Sequence, residues 1–127
     1  MENLSDKLFI ILEENLSISE IWEAVAPRSV NIEEGVLTFT RLPSIGTESI
    51  TRTSIATYQF SVRHKDLKVA QDLRDEIVEK LNGFTQRVAP DNSIVQFFHQ
   101  SDLGDVSEAD SNLWVCSSLF NLKYIRR

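Results

Sequence analysis

The hydrophobic pattern is clearest between Ile55 and Gly83, where it changes from strand-like to helical spacing. Ala56, Tyr58, Phe60 and Val62 alternate with polar residues, which is typical of a half-buried strand. After a polar turn, apolar residues recur at helical spacing at Ala70, Leu73, Ile77 and Leu81. Asp66 is the expected N-cap, and Asn82-Gly83 ends the helix. We predict that this helix packs on the sheet, so that Leu73, Ile77 and Phe60 share one core.

The N-terminal pattern predicts two helical segments. The first runs from about Leu4 to Glu14, and Phe9 and Ile10 widen its apolar face, so we expect burial on more than one side. A capping-box pattern, Ser17-Ile18-Ser19-Glu20, then predicts a short second helix that Pro27 ends. Trp22, within that segment, is interpreted as a core anchor.

Three further strands and two polar segments complete the pattern. Strands are predicted at Val36–Leu42, Ile94–His99 and Leu113–Tyr124, with a polar arm at 43–53 and an acidic loop at Asp102–Asn112. The predicted order is therefore α-α-β-β-α-β-β. It defines a single α+β domain over residues 1–127, with a four-stranded, mostly antiparallel sheet and with the N-terminal helix and one long helix on one face.

The last predicted strand is apolar on both faces. Trp114, Cys116, Phe120, Leu122 and Tyr124 share one face, whereas Leu113, Val115, Leu119 and Ile125 share the other. The helices of so small a domain cover only one face well. Either another subunit covers the second face, or Trp22 and the first helix wrap around to it; the pattern leaves both open.

Composition and charge narrow the class of protein. The chain has 127 residues, 42% hydrophobic and 25% charged, and a net charge of −6, which argues against a general or sequence-specific nucleic-acid partner. Residues 1–35 hold eight acids and two bases, whereas residues 36–90 hold six acids and eight bases. The longest apolar run, Leu8 to Leu12, is too short to span a membrane, and the N-terminus lacks the pattern of a signal peptide.

No catalytic or metal-binding pattern is apparent. Phosphate-binding glycine motifs and nucleophile elbows are absent from the sequence, and the single cysteine, Cys116, is interpreted as a buried structural residue. A pairing of Cys116 with His99 is the alternative, whereas His64 lies in a turn. Four acids between Asp102 and Asp110 do not match calcium-loop spacing, and we interpret them as a solvated loop. We therefore predict no enzyme activity, cofactor or metal.

The whole pattern resembles the tail terminator (tail completion) proteins of bacteriophages with long non-contractile tails, which include the phage lambda tail terminator. The resemblance rests on the length, the N-terminal helix and the strand ended by Pro43 with its long arm. It rests also on Tyr58-Gln59-Phe60-Ser61-Val62 leading into the Ala70–Leu81 helix, and on the two closing strands around a polar loop.

The resemblance implies a structural virion protein at the head-proximal end of the tail, made in the host cytoplasm. It implies a ring, with a hexamer expected, that caps the tail tube and meets the head connector. The partners would be other copies of the chain, the tail tube protein and the connector protein. From the residues of the arm, we expect Ile45 and Ile50 to anchor it in the assembly, with Arg52 facing acidic partners. Another neck or head-completion protein, or a small ligand-binding or enzymatic domain, are the alternatives.

Overall fold

The chain folds as one sheet with two helices. The computed structural model describes residues 4–18, 20–24, 35–42, 53–88, 93–108 and 112–125. The helices are α1 (Leu4–Asn15) and α2 (Leu67–Leu81). The strands are β1 (Glu20–Glu23), β2 (Val36–Arg41), β3 (Thr53–His64), β4 (Thr85–Val88), β5 (Ser93–Asp102), β6 (Val106–Glu108) and β7 (Leu113–Ile125).

The sheet has seven strands, so the predicted four-stranded sheet is wrong. Its order is β1-β2-β3-β7-β5-β4, and β6 pairs with β7 beyond the end of β5. The pairing of β1 with β2 is parallel, and the other described pairings are antiparallel. The short strands β4 and β6 lie in segments that carry too few alternating residues to be recognised as strands.

The predicted second helix is also wrong, because its residues form the edge strand β1. Ile21 is buried in the core and Trp22 points to the opposite face, so the segment alternates as a strand does. Backbone pairing with β2 outweighs the local helix-start signal in so short a segment. The proposed role of Trp22 as a core anchor is therefore wrong as well, since its side chain is 38% exposed.

The unit from β3 to α2 forms as its pattern predicts. Asp66 caps α2 by accepting a hydrogen bond from the Lys68 backbone N–H at 2.9 Å. The helix is followed by Gly83 in the left-handed region, at φ 80°. Ile77 is buried with Phe60 in one core, and Leu73 packs against it, which confirms the predicted contact between helix and sheet.

Both helices lie on the same face of the sheet, which we call the inner face. The Ser5 hydroxyl of α1 lies 2.9 Å from the Tyr58 hydroxyl on β3. The buried cluster on this face combines side chains of α1 (Leu8, Ile11, Leu12), of α2 (Ala70, Ile77, Leu81) and of the strands (Phe39, Phe60, Phe97, Phe120). The interpretation that the first helix wraps around to the second face is therefore wrong.

Candidate assembly surface

The face opposite the helices, the outer face, is the main surface without a helix in the described part of the chain. The register places Trp22, Thr38, Ser61 and Ser117 in one row across β1, β2, β3 and β7. Rows on either side continue the same face, because partners in register point to the same side. The outer face is therefore built from residues that alternate with the buried aromatic residues of the inner face.

A network of hydroxyl and amide groups occupies the centre of the outer face. The Ser61 and Ser117 hydroxyls lie 2.9 Å apart, and the Gln59 amide donates to Ser61 at 3.1 Å. Two rows further along the same face, the Thr57 hydroxyl donates to the side-chain amide oxygen of Asn121 at 2.9 Å. The sequence predicted that the last strand is apolar on both faces. This holds for the residue types of β7, but the centre of the outer face is polar. Ser61 and Ser117 are buried, so these hydrogen bonds satisfy polar groups that have lost contact with water.

One end of the outer face is organised around Arg63. Its guanidinium donates to the Thr38 hydroxyl at 2.8 Å and pairs with Glu108 of β6 at 3.3 Å. Val115 and Val106 lie in the same row, and Val106 is largely exposed. The Arg63 charge is thus matched within the chain, by a residue of the segment predicted to be a solvated loop.

The other end of the outer face, the Lys123 corner, carries a cation among apolar side chains. Its members are Ile55, Ile94, Phe98, Lys123 and Ile125, which lie on neighbouring positions of β3, β5 and β7. Ile55 is 50% exposed and Phe98 is 47% exposed. Arg87 of β4 is in register with Ile94 and adds a second cation at the edge. Large exposed apolar side chains beside cations are typical of a binding surface.

His99 does not meet Cys116. Its Nε2 lies 2.9 Å from Asp102 Oδ1, and the Ser118 hydroxyl donates to the same oxygen at 2.9 Å. Burial opposes ionisation of Asp102, but the hydrogen bonds from His99 and Ser118 outweigh it and hold its pKa below the usual value. His99 and Ser118 both engage the same Asp102 oxygen. His99 is therefore not placed as a base for Ser118, as the histidine of a catalytic triad is for its serine.

Cys116 is buried beside a polar contact between α2 and the segment between β5 and β6. Burial raises the pKa of its thiol to about 11, and its hydrogen bond with Asp105 adds to the shift. Asp105 also accepts from Gln71 and from Arg74, each at 2.7 Å. These contacts lower the pKa of Asp105, the Gln71 hydrogen bond most. Cys116 is therefore a protonated structural thiol, as the sequence predicted.

The acids of the predicted loop do not converge on a metal site. Asp102, Asp105 and Glu108 pair respectively with His99, Arg74 and Arg63. Asp110 lies outside the described residues. Among the residues that the structure describes, no group of three or more His, Cys, Asp or Glu side chains is placed to hold a metal ion. The acidic segment instead fastens β6 and the end of β5 to the rest of the domain.

The residues predicted to lie at an interface, Ile45, Ile50 and Arg52, lie outside the described residues. His64, predicted to lie in a turn, is instead the last residue of β3, in register with Trp114, and its Nδ1 accepts from the Asp66 backbone N–H at 2.9 Å. The residues that sequence reasoning missed are Phe98, Ile55 and Lys123. Alternation in β5 could have identified Phe98, because its neighbour Phe97 faces the core.

The fold and its surface define a class before any comparison: a mixed-sheet domain with both described helices on one face and an exposed apolar and cationic corner on the other. A family model described as bacteriophage tail terminator protein matches residues 26–125. The chain therefore belongs to the bacteriophage tail terminator family, which confirms the expected resemblance and makes it a structural component of a phage tail. The expected likeness to the phage lambda tail terminator stays a prediction. A search of curated proteins found no match.

No described helix has the length and apolar character required to cross a membrane.

Proposed function

We propose that copies of this chain form a ring that caps the tail tube at its head-proximal end. The ring stops tail polymerisation and presents a surface to the head connector. The partners are other copies of the chain, in a hexamer, together with the tail tube protein and the connector protein. The observation that carries this proposal is family membership, and the exposed Lys123 corner supports it because ring subunits need exposed surfaces that bind neighbours.

The arm at residues 43–53 supplies contacts present only in the assembly. Its sequence is rich in Ser, Thr and Gly, so it buries little apolar surface on its own. Ile45 and Ile50 anchor it on a neighbouring subunit or on the tube, and Arg52 faces acidic groups there. Ordering a segment costs roughly 1 kcal/mol or more per residue, so the contacts must offset that cost.

The test is deletion of residues 45–51, with native mass spectrometry, circular dichroism and tail length in a phage complementation assay. We expect a folded chain that assembles poorly and gives tails of abnormal length. Normal tails together with an unchanged oligomer mass would show that the arm is only a connection. A wild-type chain that stays monomeric with and without tube protein would overturn the ring itself.

The proposal also excludes catalysis by this chain. Its support is that Cys116, buried and with its pKa raised to about 11, lacks the thiolate character that a nucleophile needs. We expect alkylation of Cys116 at neutral pH to proceed only through opening of the fold. Rapid alkylation of the folded protein, at a rate close to that of a free thiol, would contradict this.

A further inference from the structure

Helix α1 carries a second exposed apolar surface, on its side away from the sheet. Leu8, Ile11 and Leu12 are fully buried, whereas Phe9 and Ile10 remain 40% and 37% exposed. The expected burial of α1 on more than one side is therefore not met within one chain. Glu13 and Glu14 follow on the same exposed side. We call Phe9, Ile10, Glu13 and Glu14 the α1 stripe; it lies outside the family-matched residues 26–125.

The α1 stripe and the Lys123 corner are complementary in chemistry. Both present large exposed apolar side chains, so both lose unfavourable contact with water when covered. The stripe adds carboxylates, whereas the corner adds the cations Lys123 and Arg87. The described outer-face positions on the neighbouring strands of the corner, at residues 55, 57, 85, 87, 94, 96, 98, 121, 123 and 125, include no carboxylate.

We infer that the α1 stripe of one copy packs on the Lys123 corner of the next copy. This inference rests on the ring proposed above and names the surfaces that would build it. The charges also select the mode of contact. Stripe against stripe would bring carboxylates together, and corner against corner would bring cations together, whereas stripe against corner pairs opposite charges. The favoured contact is therefore heterologous, the type that closes into rings.

The positions of the two surfaces agree with a head-to-tail contact. Within one chain, α1 lies against the inner face: the Lys7 ammonium donates to Ser93 at 3.3 Å and lies 5.8 Å from the centre of the Tyr124 ring. Ser93 and Tyr124 neighbour Ile94, Lys123 and Ile125, which point to the outer face. The stripe and the corner thus lie on opposite sides of the same strands. In the assembly this part of the sheet would have a helix on each face, the usual arrangement for a sheet that is apolar on both sides.

Two single substitutions test the contact from its two sides. Ile10→Lys places a charge in the α1 stripe, opposite the cations of the corner, and Ile55→Lys adds a third cation to the corner itself. Each should weaken association by on the order of tenfold or more, because each replaces a large apolar side chain in the contact with a charged side chain that loses its water on binding. Native mass spectrometry should then find each variant mainly as a monomer, with the circular dichroism spectrum of the wild type.

Mixing the two variants distinguishes a heterologous contact from a symmetric one. The Ile10→Lys chain keeps an intact corner, and the Ile55→Lys chain keeps an intact stripe. Their mixture should give a dimer and nothing larger. The intact corner of one variant binds the intact stripe of the other, and no intact surface is then left for a third chain. The controls are Val69→Lys on α2 and Val106→Lys at the Arg63 end, which alter exposed apolar residues outside both surfaces. Both controls should assemble as the wild type does.

Other outcomes would overturn the inference. Rings formed by either variant at the wild-type concentration dependence would show that the copies meet elsewhere. Variants with an unchanged ring mass but abnormal tails would assign the corner or the stripe to the tail tube. In both cases the ring proposed above would stand. A wild-type chain that never assembles would instead overturn the ring and this contact together.

Discussion

The two faces of this sheet are made by the same strands, yet they differ in almost every physical respect. On the inner face, Phe39, Phe60, Phe120 and Phe97 form a chain of ring contacts with centroids 5.3–6.5 Å apart. On the outer face, the corresponding rows hold hydroxyl groups, amides and two separated cations. Alternation along a strand thus lets one segment stabilise the fold on one side and remain open to contact on the other.

The difference also separates stability from recognition. Buried aromatic side chains contribute large transfer free energies and tolerate few changes. Half-exposed side chains such as Ile55 and Phe98 contribute less to the folding of a single chain, so the proposed contact between copies can be tested there apart from stability. Substitutions should therefore affect different measurements: unfolding for the inner face and assembly for the Lys123 corner of the outer face.

The largest effect is expected for Ile77→Asp, on the inner side of α2. Ile77 is buried beneath the helix, so the variant would bury an unpaired carboxylate or expose the core. We expect a loss of at least about 3 kcal/mol in the free energy of unfolding, a large part of the stability of a typical domain. Urea unfolding followed by circular dichroism measures it.

Val69→Asp, the same type of change on the exposed side of α2, is the matched control, and it should cost less than about 1 kcal/mol. Similar melting of the Ile77→Asp variant and the wild type would mean that α2 does not pack on the sheet through Ile77.

The inner face could be predicted from the sequence because its signals are long and consistent. Strand β3 alternates over its whole length, and α2 has an N-cap, an apolar stripe and a terminal glycine, all of which agree. The edges could not be predicted. Strand β1 has only four residues, Glu20-Ile21-Trp22-Glu23, and it begins at the end of a helix-start pattern. It is a strand only because it pairs with β2. Edge strands are set by tertiary contacts rather than by local pattern.

The sequence predicted that an apolar surface is present but not which residues form it. The two-sided apolar character of the last strand indicated an open face, yet the distribution of cations and apolar residues depends on how β3, β5 and β7 align. Likewise, the spacing of the acids could not show that Asp105 reaches Arg74 and Glu108 reaches Arg63. Such pairings across the fold depend on the register and on the bulge near His99.

The next effect in size is expected for Asp105→Asn, which removes the charge that joins α2 to the segment between β5 and β6. Loss of the ion pair with Arg74 should lower the free energy of unfolding by about 1 kcal/mol at neutral pH. The effect is modest because the Asp105 side chain is partly exposed. Because folding lowers the pKa of Asp105, its contribution is complete above the unfolded pKa of about 4 and is lost as the pH falls through the folded value.

The stability difference between this variant and the wild type should therefore shrink in acid. Urea unfolding at pH 7 and at pH 3 measures it, with Asp72→Asn on the exposed surface of α2 as the control. A difference that stays constant between the two pH values would contradict a role for the Asp105 charge.

A smaller effect is expected for the hydroxyl pair at the centre of the outer face. Ser61→Ala and Ser117→Ala should each cost about 0.5 kcal/mol, the lower end for a neutral hydrogen bond, because each leaves a buried hydroxyl with a poorer partner. The double variant should cost less than the sum, since the second substitution removes the hydroxyl that the first left unpaired. A double-mutant cycle by urea unfolding measures this coupling, and strict additivity would show that the two hydroxyls act independently.

The smallest effect on folding is expected at the Lys123 corner, for Ile55→Thr. Ile55 is half exposed, and threonine keeps the branched side chain that suits a strand, so the free energy of unfolding should change by less than about 0.5 kcal/mol. Val95→Thr is the matched control, because Val95 is a fully buried β-branched residue on the inner face, and it should cost clearly more. Urea unfolding at a low protein concentration measures both variants as separate chains. A loss for Ile55→Thr as large as that for Val95→Thr would show that the Lys123 corner also supports the fold. The separation of stability from recognition between the two faces would then fail.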